Sequence, residues 1–365
     1  MDEAGSPAAV TALPATREIP FEFTATGGEY FRIWIVNALL SICTLGIYSA
    51  WAKVRRLRYF YGSTSLDGAT FDYHGDPKAI LKGRLIAVGT YVLYLAASRV
   101  SPALSLLFLP LFVFGVPWII MRSRRFHLRM TSWRGLRFHF HGGYRGALAA
   151  YVGWALLGML SAGILVPLAH WKRIHYLLSN TAYGTERFRF TTSTGAFYRF
   201  FLLTLLFAVL ASFGAMLLLG GYGALFGATT VSTGTDPRVA YAALGKLFAG
   251  PTILVFLIAG LLIGAYYQKS LVNASFGGIE VGPHRVRSTL KTGRLAFLLV
   301  TNLLGIVFTI GLFAPWARVR LMRYQFSQTT VLAEGDLDAF TAAASDGSGA
   351  AGEEIGEFFD IDFGL

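Results

Sequence analysis

A chain of 365 residues with one cysteine, Cys43, can form neither an intrachain disulfide nor a CxxC metal or redox site. Charge is also scarce: 14% of residues are charged against 54% hydrophobic, and mean hydropathy is +0.53. Soluble domains carry about 25% charged residues, so a water-soluble monomer could not cover itself with so few. Acids are rarest where chemistry would need them. Of 20 Asp and Glu, nine follow Ala333, leaving eleven in residues 1–333 beside all 32 Lys and Arg. Apolar segments almost free of acids argue against a proton relay or an intramembrane acid–base enzyme. The HExxH, GxSxG and Walker lysine patterns are missing. Residues 1–19 are polar and lack the basic-then-apolar order of a cleavable signal peptide. These absences exclude soluble enzyme folds for most of the chain and predict a non-enzymatic, multi-pass membrane protein without a cofactor or a metal.

Apolar runs of roughly membrane length occupy residues 32–50, 85–98, 103–121, 147–169, 200–220, 250–267 and 295–314. The connections differ sharply in charge. Residues 52–84 and 122–146 hold seven basic side chains each, 170–199 and 268–294 five each, and 316–323 three; 99–102 and 221–249 hold one and two. Such a surplus could serve nucleic acid, but its interleaving with apolar runs fits the positive-inside rule. Seven simple crossings would strand two strongly basic loops on the wrong side. The conflict disappears if the first, fourth and seventh runs are re-entrant, entering and leaving on the cytoplasmic face, and the other four form two transmembrane hairpins.

Those three runs are copies. An offset of 265 superimposes Asn37 on Asn302, Thr44 on Thr309, Gly46 on Gly311, Trp51 on Trp316, Lys53 on Arg318, Arg55 on Arg320, Arg58 on Arg323 and Tyr59 on Tyr324. An offset of 117 adds Gly163 opposite Gly46, with Lys172 and Arg173 opposite Arg55 and Arg56. Eight matches in one register indicate duplication. A mid-run Gly permits a break or a close helix approach. Asn37, Gly46, Gly163, Asn302 and Gly311 are therefore candidate membrane-embedded breaks and polar contacts; for the two asparagines an interhelical hydrogen bond is the competing explanation.

After each basic exit comes a strand–turn–strand pattern. YGSTSLDGATFDYHG (61–75) turns at Asp67-Gly68, HLRMTSWRGLRFHFHG (127–142) at Arg134-Gly135, and SNTAYGTERFRF (179–190) is a third copy. Weaker counterparts lie at about 272–287 and 324–340. Aromatics two apart, such as Phe71 and Tyr73, face one side of a strand. The expected fold is a polytopic α-helical membrane protein with internal repeats, re-entrant segments and five cytoplasmic β-hairpins (about 58–75, 126–142, 176–191, 272–287 and 324–340) making a small sheet. This membrane domain spans 20–340, between a disordered tail at 1–19 and an acidic disordered tail at 341–365. Asp72, His74, His139 and His141 could converge on a metal, but the alternation of Asp72 and His139 with aromatics fits solvent-facing strand positions better, and His74 and His141 are expected to end strands before Gly75 and Gly142.

The basic arms carry the remaining functional content. Lys53, Arg55, Arg58, Arg122, Arg125, Lys172, Arg173, Arg318, Arg320 and Arg323 are candidates for binding anionic lipid or substrate, each cation contributing about 1 kcal/mol beside an anionic leaflet. Simple topology-setting charge explains them equally well. The acidic tail could dock on the basic face or on a protein partner.

The segment GGEYFRIWIVNALLSICTLGIYSAWAKVRRLRYFYGSTSLDGATFDYHGDPKAILKGRLIA resembles the signature of the YjgN-like bacterial inner-membrane family, a domain of unknown function, over roughly residues 20–335. The resemblance implies a bacterial inner (cytoplasmic) membrane location and supplies no activity. The leading expectation is transporter- or channel-like handling of a small or lipid-like anionic substrate. The alternative is a scaffold or sensor that binds anionic lipid and recruits partners through its hairpins.

Overall fold

The computed structural model describes residues 16–233 and 236–346. Its organising element is a closed antiparallel β-barrel in the order β1-β10-β9-β8-β7-β6-β5-β4-β3-β2. Strand β1 (Thr16–Phe23) closes the ring by pairing with both β10 (Thr329–Glu334) and β2 (Thr64–Leu66). The others are β3 (Ala69–Tyr73), β4 (Thr131–Trp133), β5 (Leu136–Phe140), β6 (Thr181–Tyr183), β7 (Glu186–Phe190), β8 (Ile279–Val281) and β9 (His284–Ser288).

Hairpin chemistry is local. Asp67-Gly68 and Arg134-Gly135 both hold positive φ at their two turn residues (49° and 74°; 47° and 77°), the mirror-image turn whose twist matches that of paired strands. Gly184 and Gly282, at φ 56° and 55°, supply the single positive angle of the other two-residue turns.

A helix pair leaves the barrel after each odd-numbered strand and returns to it in the next even one. The pairs are α1 (Gly27–Cys43) with α2 (Ser49–Gly62); α3 (Pro77–Val100) with α4 (Pro102–Leu106) and α5 (Phe108–Arg129); and α6 (Tyr144–Leu148), a π-helical turn (Ala149–Gly153) and α7 (Trp154–Leu160) with α8 (Val166–Ser179). Next come α9 (Thr194–Thr233) with α10 (Pro237–Phe276), then α11 (Thr292–Phe308) with α12 (Ala314–Ser327). A last helix, α13 (Leu337–Asp346), follows β10.

Three pairs are short and turn in the same way. Leu45, Ala162 and Ile310 adopt φ of 49–51°, and Gly46, Gly163 and Gly311 follow at φ 90°. The glycine amides reach back to Ser41, Gly158 and Ile306 (2.7, 3.0 and 2.7 Å), the left-handed helix stop in which an N–H satisfies an orphan carbonyl five residues earlier. Thr44, Ser161 and Thr309 then cap the returning chain by accepting from the amides of Tyr48, Leu165 and Phe313. Two pairs are long. Pro77–Val100, Pro102–Arg129, Thr194–Leu217 and Thr252–Phe276 are long and apolar enough to cross a membrane.

The barrel corrects the expected fold class. The five hairpin regions do not make a small sheet under a helical protein. Each short strand pairs with the long strand of its own hairpin and with the long strand preceding its helix pair, which carries pairing right round the ring. Closure needs β1, whose first residues fall in the segment expected to be a tail, and β10 pairs with β1 and β9 rather than folding on itself. The acidic segment from 341 also begins in order, inside α13, and its remainder lies outside the described residues.

Candidate functional site

Alternation turns one face of each strand into the barrel. Five facing pairs result: Phe21 with Leu66, Phe71 with Trp133, Phe138 with Tyr183, Phe188 with Val281, and Val286 with Val331. All ten line a cavity of about 500 Å³. Its rings pack in series, Phe21 on Phe71 at 6.2 Å, Phe71 on Trp133 at 6.1 Å and Phe138 on Tyr183 at 5.1 Å. The polar atoms of this wall are occupied: Tyr183 donates to the Trp133 carbonyl (3.0 Å) and Trp133 Nε1 to the Ala69 carbonyl (3.2 Å). Burial pushes the Tyr183 hydroxyl's pKa up, keeping it neutral.

At the helix end, α2 and α12 extend the lining with Arg56, Phe60, Tyr61, Arg318, Met322 and Phe326. Tyr30 lies within reach of both guanidinium groups and accepts a hydrogen bond from Arg56. At the turn end, α13 closes the barrel with Leu337, Phe340 and Ala344. His284, buried on β9, meets Phe340 edge to face at 4.5 Å, and its Nδ1 accepts from the Glu334 amide (3.3 Å). Burial lowers the His284 pKa, with the Glu334 carboxylate opposing. Arg134 pairs with Asp67 at 2.8 Å and with Asp338 of α13.

The predicted basic residues divide by contact. Arg318 reaches the cavity. Arg58 and Arg323 fasten chain segments, donating to the carbonyls of Tyr73 (3.3 Å) and Ala25 (2.8 Å). Arg320 donates to Asn302 Oδ1 (2.8 Å), and Asn302 Nδ2 donates to the Ala317 carbonyl (3.1 Å), so this asparagine joins α11 to α12. Asn37 is buried at the matching place. Arg122, Lys172 and Arg173 lie over the rings of Trp118, Trp154 and Tyr151, at 5.6, 5.2 and 5.2 Å. Lys53 is within electrostatic reach of Arg56, Arg125 of His141, and Arg55 is exposed. Gly46, Gly163 and Gly311 occupy the hairpin tips, far along the chain from the barrel strands.

No metal-ligating cluster forms among the described residues. His74 instead shares a hydrogen bond with Ser132 Oγ at 2.8 Å, and Asp72 is exposed on the outer face. Arg56 and His284 escaped the sequence reading. The inward period-two phase running 284, 286, 288 would have placed His284 inside.

Four membrane-length segments joined to a barrel define a multi-pass membrane protein whose five helix pairs share one β-barrel base. The chain belongs to the family described as "Bacterial protein of unknown function (DUF898)", which it matches over residues 18–358. It is similar to proteins named inner membrane protein YjgN: that of Salmonella typhimurium at 23% identity, and those of Escherichia coli O157:H7 and K12 at 25% each. In all three the match covers 87% of this chain and 89% of the relative. No solved structure matches. The chain is a bacterial inner-membrane protein.

Proposed function

We propose that this protein is a non-enzymatic carrier or channel for a small or lipid-like anionic substrate, which passes between the bilayer-embedded helix pairs and the barrel. The observation that carries the reading is the apolar barrel interior, which meets the helices beside Arg56 and Arg318. Arg is suited to carboxylate and phosphate because its planar fork matches their oxygens.

In the same reading the three short pairs dip into the bilayer from the barrel side. Their tips are bare hydrocarbon: Leu45 is 96% and Ile310 95% exposed. Exposed apolar surface of this extent marks a membrane or partner contact. A 14-residue helix spans about 21 Å, short of the roughly 30 Å hydrocarbon core. Anionic leaflet lipids are then partners of the basic stems. Recruitment of proteins through hairpin edges has less support, since a closed barrel leaves no strand edge free.

The test is movement in proteoliposomes. A fluorescent anionic phospholipid should cross or exchange faster with the protein than in empty vesicles, and faster than its zwitterionic counterpart. Equal rates for both lipids, or no acceleration, would remove the reading.

A further inference from the structure

The barrel interior is wrong for a hydrated ion and right for hydrocarbon. Its wall is Phe, Leu, Ile, Val, Trp and Tyr with Thr64 and His284 as the polar members on the strands, and among the described residues no Asp or Glu lines it. The Trp and Tyr polar atoms already bond to backbone carbonyls. His284 Nε2, at the turn end, is buried without a hydrogen-bond partner among the described residues, and the rest of the cavity is of the apolar kind that stays dry unless an apolar group fills it. Its volume, about 500 Å³, falls in the range of roughly 300–1,000 Å³ common for small-molecule sites.

The two ends differ. The turn end is shut by Leu337 and Phe340 of α13. The helix end carries Arg56 and Arg318, neither of which has a carboxylate partner among the described residues. An apolar tube closed at one end and cationic at the other matches a molecule with a hydrocarbon tail and an anionic head.

We infer that the barrel binds one hydrocarbon chain of an anionic amphiphile, with the chain among the five facing pairs and the head group on Arg56 and Arg318. This deepens the function proposed above and rests on it for the substrate's charge, but binding is read separately from movement. A fatty-acid carboxylate and a single-chain phospholipid phosphate share the required chemistry.

The full chain in phosphatidylcholine nanodiscs is titrated with a brominated long-chain fatty acid, and quenching of Trp133 is taken as the difference between the native protein and Trp133→Phe. Saturable quenching is expected. The methyl ester of the same acid should bind about tenfold or more weakly, the loss of a charge-assisted contact. Arg56→Gln with Arg318→Gln, which leaves the wall untouched, should reduce the acid to the ester's affinity. Val286→Trp, which fills the cavity, should abolish the signal. A brominated lyso-phosphatidylglycerol in place of the acid shows which head group binds more tightly. Quenching that never saturates, or an ester equal to the acid, overturns the inference, as does native affinity in the double arginine variant, which also covers misfolding of Val286→Trp. Binding without lipid movement would remove the carrier reading and leave this site standing.

Discussion

The amide and hydroxyl of Thr185 both donate to the carbonyl oxygen of Ala344, at 3.1 and 3.2 Å, across 159 residues of chain. This bond seats α13 on the β6–β7 turn, and the glycine before Thr185 leaves the room for it. A Cβ on Gly184 would collide with that same Ala344 carbonyl, and one on Gly282 would lie 2.8 Å from the Phe340 ring. Both hairpin turns are shaped to receive the helix as well as to reverse the chain.

Gly184→Ala should therefore loosen α13 selectively, at a cost of about 1–3 kcal/mol in docking as for other overpacked contacts. Gly135→Ala is the matched comparison: its φ is 77° and nothing lies within 4 Å of its missing Cβ, so it carries backbone strain alone. Hydrogen exchange over residues 337–346 should speed up in the first variant and stay native in the second. Equal behaviour would mean that the glycine serves the turn and not the helix.

Asn302 and Asn37 occupy equivalent places but different bonding states. Asn302 holds the Ala317 carbonyl and Arg320, which also reaches Thr301 Oγ1 at 3.1 Å. Asn37 is as deeply buried, yet its Oδ1 has no hydrogen-bond partner among the described residues, and Arg55, the counterpart of Arg320, is exposed. Asn302→Leu should destabilise by about 1–3 kcal/mol because it takes a donor from the buried Ala317 carbonyl and an acceptor from half-buried Arg320. Asn37→Leu removes an acceptor that was already unpaired and should change stability by no more than about 0.5 kcal/mol. Thermal unfolding of the two purified variants compares them directly, and similar losses would contradict the argument.

The contrast shows how far the sequence could be read. The repeat at offset 265 is visible in residues because each tip has the same parts: a Thr to cap, an apolar residue held in left-handed backbone, then Gly. The helix bounds Gly27–Cys43 and Thr292–Phe308 differ by that same offset. Phe71, Phe138 and Phe188 were legible as one face of a strand because strand alternation is local. Closure was not, because it depends on pairing Thr16–Pro20 with Thr330–Glu334, and no turn or spacing joins segments so distant. The cavity was hidden for the same reason: ten side chains spread through the chain become a wall only once the ring shuts. Arg56 differs from Arg55 by direction alone, which helix rotation sets and residue type does not reveal.

Cys43 ends α1 beside the first tip and is exposed. If that tip lies in hydrocarbon, this native thiol is a depth marker requiring no substitution. A membrane-impermeant maleimide should leave it unmodified from either side of the inner membrane, whereas a lipid-soluble maleimide should react with it. Modification by the impermeant reagent from the periplasmic side would show that the first pair reaches through the bilayer, and the short pairs would then need another placement.

His284 gives the turn end of the barrel a dependence on pH. Burial holds its imidazole below the ordinary range, with the Glu334 carboxylate partly offsetting this. The unfolded chain takes up its proton near pH 6.5, and the folded chain only at lower pH. Below about pH 6.5 the unfolded state thus binds more protons, so stability is full above that value and falls as pH drops toward the folded pKa. The strain should appear first where the ring meets Phe340, because a charged imidazole there loses hydration that the Glu334 carboxylate only partly replaces. Hydrogen exchange of α13 should quicken between pH 7 and about pH 5.5, and His284→Gln should flatten that response. An unchanged pH response in the variant would place the sensitivity away from His284.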